Sequence, residues 1–99
     1  EFWRIKGEIL LSASASKVSA AEDCFLRAIE QAERQGALSW ELRAATSLAR
    51  SRTRQNRLEE ARSELTGVYD RFTEGFDSCD LRTARSLLDE IERLQAAAE

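Results

Sequence analysis

The sequence predicts an all-α chain of five amphipathic helices, laid down as antiparallel helix hairpins with a final capping helix. Three observations predict it. Proline is absent and glycine occurs only four times in 99 residues, while Ala, Leu, Glu and Arg, all strong helix formers, are abundant. Apolar residues recur at intervals of three and four, the period of a helix rather than the alternation of a strand. A pattern of small and large side chains on the second helix returns forty residues later on the fourth, from Ala21 to Ala61, and self-similarity at such a period marks stacked supersecondary units.

The first helix is expected from Phe2 to Ser14, with Trp3, Gly7 and Leu10 on one stripe and Phe2, Ile5 and Ile9 beside it. The small residues from Ser12 to Ser16 make the turn. The second helix starts between Ser16 and Ser19, where Ser19-Ala20-Ala21-Glu22 has the form of a capping box. Its core face is Ala21, Phe25, Ala28 and Ala32, and Gly36 supplies a left-handed stop. The third helix begins after Ser39, turns Leu42, Ala45, Leu48 and Ala49 inward and runs to about Gln55. Asn56-Arg57-Leu58-Glu59 caps the fourth, whose stripe is Leu58, Ala61, Leu65, Val68 and Phe72, with Gly75 as its end. Asp77 or Ser78 caps the fifth, which buries Leu81, Ala84, Leu88 and Ile91, with Leu87 and Leu94 alongside. Short turns between such helices make them antiparallel neighbours.

Composition narrows the function. Hydrophobic residues at 42% and charged residues at 33% describe a globular chain rather than a disordered one. No apolar run reaches the roughly 20 residues of a membrane span, so a soluble, cytoplasmic protein with no membrane partner is expected. A formal net charge of −3 does not favour nucleic acid. Cys24 and Cys79 are the two cysteines and histidine is absent, which excludes the usual zinc spacings and a Cys–His nucleophile; two free thiols in helical packing are expected. The chain opens at Glu1, without an initiator Met and already on an apolar helical pattern, as a piece of a longer protein would.

Ala21-x3-Phe25-x2-Ala28 and Ala61-x3-Leu65-x2-Val68 are placed like the Ala, Phe and small residues of a tetratricopeptide (TPR) second helix, and Trp3, Gly7 and Leu10 like those of its first. Lys6 stands where that pattern has Leu, Leu10 where it has an aromatic, and no Pro closes either repeat. The chain therefore resembles a TPR-like solenoid: two divergent repeats over residues 1–99 and a C-terminal capping helix. Small residues at Gly7, Ala21, Ala28, Ala49 and Ala61 let helices approach while larger ones fill the gaps.

A second resemblance is carried by Ala21-Glu-Asp-Cys-Phe-Leu-Arg-Ala-Ile29, by Gln35-Gly-Ala-Leu-Ser-Trp-Glu-Leu-Arg-Ala-Ala-Thr-Ser-Leu-Ala-Arg50, and by Tyr69-Asp-Arg-Phe-Thr-Glu-Gly-Phe-Asp77 followed by Asp80-Leu81. Together these resemble the C-terminal helical-repeat region of large bacterial signalling proteins, in which a class III adenylate/guanylate cyclase domain or a DNA-binding activator domain precedes an NTPase domain and TPR-like repeats. The resemblance implies a regulatory or assembly segment whose partner is a protein, a peptide or the upstream domains of the same chain. Nucleotide chemistry would belong upstream: Gly7, Gly36, Gly67 and Gly75 never form a G-x4-G-K phosphate loop.

Candidate sites follow from this geometry. First helices of TPR-like pairs line a concave groove, which puts Arg43, Arg50 and Arg54 on one exposed stripe of the third helix and Arg4 in a comparable place on the first. Such arginines hold carboxylates bidentately; the plain alternative is a solvated basic helix end, with Arg52 and Arg57 complementing the helix dipole. A phosphate patch of Arg50, Arg52, Arg54 and Arg57 is disfavoured because the charges spread around the helix with no stacking platform. Trp40, Tyr69, Phe72 and Phe76 flank turns, where they pack neighbouring helices or anchor a partner. Asp77 and Asp80 read as helix-start carboxylates rather than a metal pair. Glu30–Arg34 and Asp89–Arg93 have the spacing of exposed ion pairs. The glutamates Glu59, Glu60, Glu64, Glu90 and Glu92 lie on polar faces, so no catalytic residue, metal site or cofactor is expected. An apolar face of Phe2, Trp3 and Ile9 is expected to support self-association into a homo-oligomer.

Overall fold

A computed structural model describes residues 1–13 and 15–98. Its elements in chain order are α1 (Phe2–Ala13), a 3-10 turn (Ala15–Lys17), α2 (Val18–Gln35), α3 (Leu38–Arg54), α4 (Leu58–Tyr69) and α5 (Cys79–Ala98). No strand occurs among the described residues. Five α-helices were expected and five are present among the described residues. Ser14, the expected end of the first helix, lies outside the described residues.

Two turns are built alike. After α2, Gly36 takes φ 64°; its N–H donates to Glu33 O (3.1 Å) and the Ala37 N–H to Ala32 O (2.9 Å). After α3, Asn56 takes φ 62°, with Asn56 N–H to Thr53 O (3.0 Å) and Arg57 N–H to Arg52 O (2.9 Å). Both are Schellman closures, in which a left-handed residue lets the last carbonyls find donors. Asn56 was expected to begin a cap; it is the stop of the preceding helix, a role Asn fills because it tolerates positive φ better than most residues.

Other ends depart from expectation. Ser19 lies inside α2, and Lys17 precedes the helix with no side-chain cap. The capping box does not form because Glu22 is drawn to two guanidiniums: Arg52 Nη2 is 2.8 Å and Arg57 Nη1 3.0 Å from its carboxylate. Charge-assisted bonds of that kind outweigh a reach back to a backbone N–H. The third helix begins at Leu38, before Ser39. The fourth stops at Tyr69 rather than near Gly75, and the chain continues through single-turn bonds from Arg71 to Val68 and from Phe72 to Tyr69 (3.1 Å each). Phe72 still packs against the core. At the start of α5, the Leu81 N–H donates to Ser78 Oγ (3.4 Å), so Ser78 rather than Asp77 is the cap.

Each helix packs against its sequence neighbours, and α3 also touches both α1 and α5. Helices α2 and α4 do not meet. The molecule extends 39 × 34 × 19 Å, and the short dimension suits two layers of helices about 10 Å apart. Odd-numbered helices therefore share one layer, with α3 at its centre. This explains why α3 is buried on so many sides, including Glu41, Thr46, Ser47 and Ser51.

Burial repeats at forty residues. On α2 and α4, the buried Ala21, Phe25 and Ala28 return as the buried Ala61, Leu65 and Val68. On α3 and α5, the buried positions 41, 44, 47, 48 and 51 return as 81, 84, 87, 88 and 91. Ala21 and Ala61 are therefore alike in burial. The close approach expected at Gly7 is also present: a Cβ there would lie 2.6 Å from Cε1 of the buried Phe25 ring. Leu94, expected alongside the core face of α5, is exposed.

Candidate binding groove

The layer of odd helices carries a cleft of about 210 Å³ lined by Arg4 from α1, by Arg43, Thr46, Ser47 and Arg50 from α3, and by Asp80 and Thr83 from α5. Helical spacing explains the set. Positions 43, 46, 47 and 50 are one face of α3, opposite the face that buries Leu42, Ala45 and Leu48 in the core. A second furrow of about 400 Å³ continues along α5 past Arg50, with Thr83, Ser86, Glu90 and Arg93 among its walls. Arg50 stands where the two meet.

The arginines are not equivalent. Arg4 Nε and Nη2 bond the Glu1 carboxylate at 2.9 and 2.6 Å. That hydrogen bond holds the Glu1 carboxyl below its ordinary value, against the opposing effect of burial. Arg43 Nε donates to Asp80 Oδ2 at 3.0 Å, and its Nη1 lies 3.7 Å from Glu1. Arg50 is half-buried and has no hydrogen-bond or ion-pair partner among the described residues. Beside it Ser47 is only 3% exposed, yet its hydroxyl bonds no protein group among those residues and opens on the cleft. Thr46, by contrast, donates to Leu42 O at 2.8 Å. Among the described residues, the cleft thus holds two cations matched by the chain's own carboxylates and one that is not.

Of the four arginines expected in a groove, Arg4, Arg43 and Arg50 are brought together, and Arg54 is left exposed at the end of α3, outside both depressions. Arg93 was missed as a groove residue. It was expected to pair with Asp89, but Asp89 takes Arg85 instead (2.8 Å), leaving Arg93 without a partner among the described residues. The signal was helical spacing: positions 83, 86, 90 and 93 form one face of α5, and with α5 in the layer of α3 that face borders the furrow. Arg52 and Arg57 are not free helix-end charges; they clamp Glu22. Burial pushes the Glu22 carboxyl up, but the bonds from Arg57 and Arg52 outweigh it and hold the group low. Glu30 and Arg34 pair as expected (2.9 Å).

The apolar face also differs in membership. Phe2 and Ile9 are 67% and 61% exposed, and Ile5 joins them at 46%, forming a depression with Lys6. Trp3 instead packs against the core, under the guanidinium of Arg27 at 4.9 Å, because residues 3 and 7 face α2 while 2, 5 and 9 face away. Among the turn aromatics, Tyr69 and Phe76 meet at 5.9 Å, Phe72 is half-buried and Trp40 exposed. Cys24 is buried and Cys79 exposed, both as free thiols. Asp80 lies in the first turn of α5 and binds Arg43, and no cluster of three or more His, Cys, Asp or Glu suited to a metal occurs among the described residues. No helix among them is long and apolar enough to cross a membrane. Compared with protein-family models, with curated proteins and with solved structures, the chain matches none.

Proposed function

We propose that the chain is a non-catalytic, TPR-like module that binds an extended acidic segment of a peptide or protein across the face shared by α1, α3 and α5. One observation carries this reading: among the described residues, Arg50 sits half-buried in the cleft with no carboxylate of its own, next to the Ser47 hydroxyl, which bonds none of them. A partly desolvated guanidinium in that state is suited to a bidentate carboxylate. The forty-residue echo in burial supports the repeat reading, and stacked hairpins present extended binding surfaces. The overall charge of −3 opposes an anionic partner, so attraction must be local to the groove. By its resemblance to cyclase- and NTPase-linked repeat regions, the segment would serve as the regulatory end of a cytoplasmic bacterial signalling protein, engaging another protein or its own upstream domains.

The test is isothermal titration of acidic peptides with free C-termini into the wild type and into Arg43→Glu/Arg50→Glu. Binding by the wild type that the double variant loses supports the groove; equal binding by both removes it. Assays for cyclase and NTPase turnover test the absence of catalysis, and turnover by the purified chain would end that part of the proposal.

A second reading is a spacer or oligomerisation element without a ligand. It is favoured by the exposed stripe of Phe2, Ile5 and Ile9, which is apolar surface of the kind that seeks a partner.

A further inference from the structure

We infer that Asp80 is an intramolecular competitor for the groove's ligand: it occupies Arg43 in the free protein, so that an incoming carboxylate docks first on Arg50 and must displace Asp80 to engage Arg43. This deepens the reading of the groove as a binding surface and depends on it. Three observations lead here. Arg43 and Asp80 come from different helices, α3 and α5, and meet at 3.0 Å directly on the cleft wall. Both side chains are partly exposed, at 44% and 33%, so the pair is reachable by a ligand rather than locked in the core. Two turns further along α3, Arg50 has no such occupant among the described residues, and Ser47 and Thr83 flank the approach to it.

The chemistry is an exchange of one carboxylate for another on the same guanidinium. A ligand with a single carboxylate satisfies Arg50 and leaves the Arg43–Asp80 pair intact. A ligand with two, spaced to reach both arginines, must break that pair and leave Asp80 to water. Asp80 therefore selects against weakly acidic segments and couples occupancy of the groove to the contact between α3 and α5. Glu1 adds to the competition from the other side, 3.7 Å from Arg43.

The probe is a hexaglutamate peptide, titrated calorimetrically into the wild type, Asp80→Asn, Arg43→Gln, Asp80→Asn/Arg43→Gln and Arg50→Gln. Partly exposed ion pairs contribute little individually, so Asp80→Asn should tighten binding about two- to fivefold. The gain should vanish when Arg43 is also changed, and Arg50→Gln should weaken binding with Asp80 in place. In the wild type, the arginine Nε–Hε resonances of both Arg50 and Arg43 should move during the titration, which reads the displacement without any substitution. If the wild type binds but Asp80→Asn binds no better, or the Arg43 signal stays fixed at saturation, the competition is refuted while the groove stands. If neither the wild type nor Asp80→Asn binds, the groove reading fails and the competition with it.

Discussion

Two residues show how local chemistry sets the packing. Gly7 lies where α1 crosses the fully buried ring of Phe25. A methyl group there cannot be accommodated by swinging the ring aside, because that ring is enclosed. Overpacking of this kind costs about 1–3 kcal/mol, offset in part by the roughly 1 kcal/mol that Ala gains over Gly in a helix. Gly7→Ala is therefore expected to lower stability in urea unfolding, and Gly7→Ala/Phe25→Leu to recover part of the loss. A Gly7→Ala protein as stable as the wild type would contradict the close crossing. Asn56 offers the complementary case, an exposed left-handed residue whose role is conformational. Asn56→Ala should cost about 1 kcal/mol, while Asn56→Gly should be neutral or stabilising; equal losses in both would point to a side-chain role instead.

At the scale of elements, Glu22 joins α2 to the end of α3 and the start of α4 through Arg52 and Arg57. Its carboxyl is held below the ordinary value of 4.5 in the folded protein, so the unfolded chain binds its proton more readily. The sign follows from linkage: the contribution is complete above the unfolded value and is lost as pH falls through the lower, folded one. Urea midpoints of the wild type should therefore fall more steeply below pH 4.5 than those of Glu22→Gln. Parallel pH profiles would mean that the clamp adds nothing. The same cluster marks the boundary of what periodicity reveals. Phe25, Leu42, Leu48, Leu65 and Ile91, the largest fully buried side chains, all fall on faces that a 3.6-residue period picks out. Contacts between charges thirty or more positions apart leave no periodic trace, which is why the capping box expected at Ser19 does not form; the Asp89–Arg93 pair fails for a local reason, because Arg85, four residues before Asp89, has the same i,i+4 spacing and takes it. The groove was legible for Arg4, Arg43 and Arg50, since placing α1 and α3 in one layer needs only the hairpin rule. Arg93 needed the further step of putting α5 in that layer, and the counter-ions Glu1 and Asp80 were invisible without coordinates.

For the whole molecule, the two unlike surfaces make separable predictions. The stripe of Phe2, Ile5 and Ile9 should drive concentration-dependent self-association in light scattering, abolished by Ile5→Lys/Ile9→Lys. A wild type that stays monomeric at high concentration would remove the oligomerisation reading. The groove lies on the layer of odd helices, and ligand should be felt there alone. Its most direct measurement is hydrogen–deuterium exchange with and without a bound acidic peptide. Protection is predicted along residues 43–50 of α3 and 80–93 of α5, with α2 and the outer face of α4 unchanged. Protection centred on α2 and α4, with α3 and α5 unaffected, would contradict it.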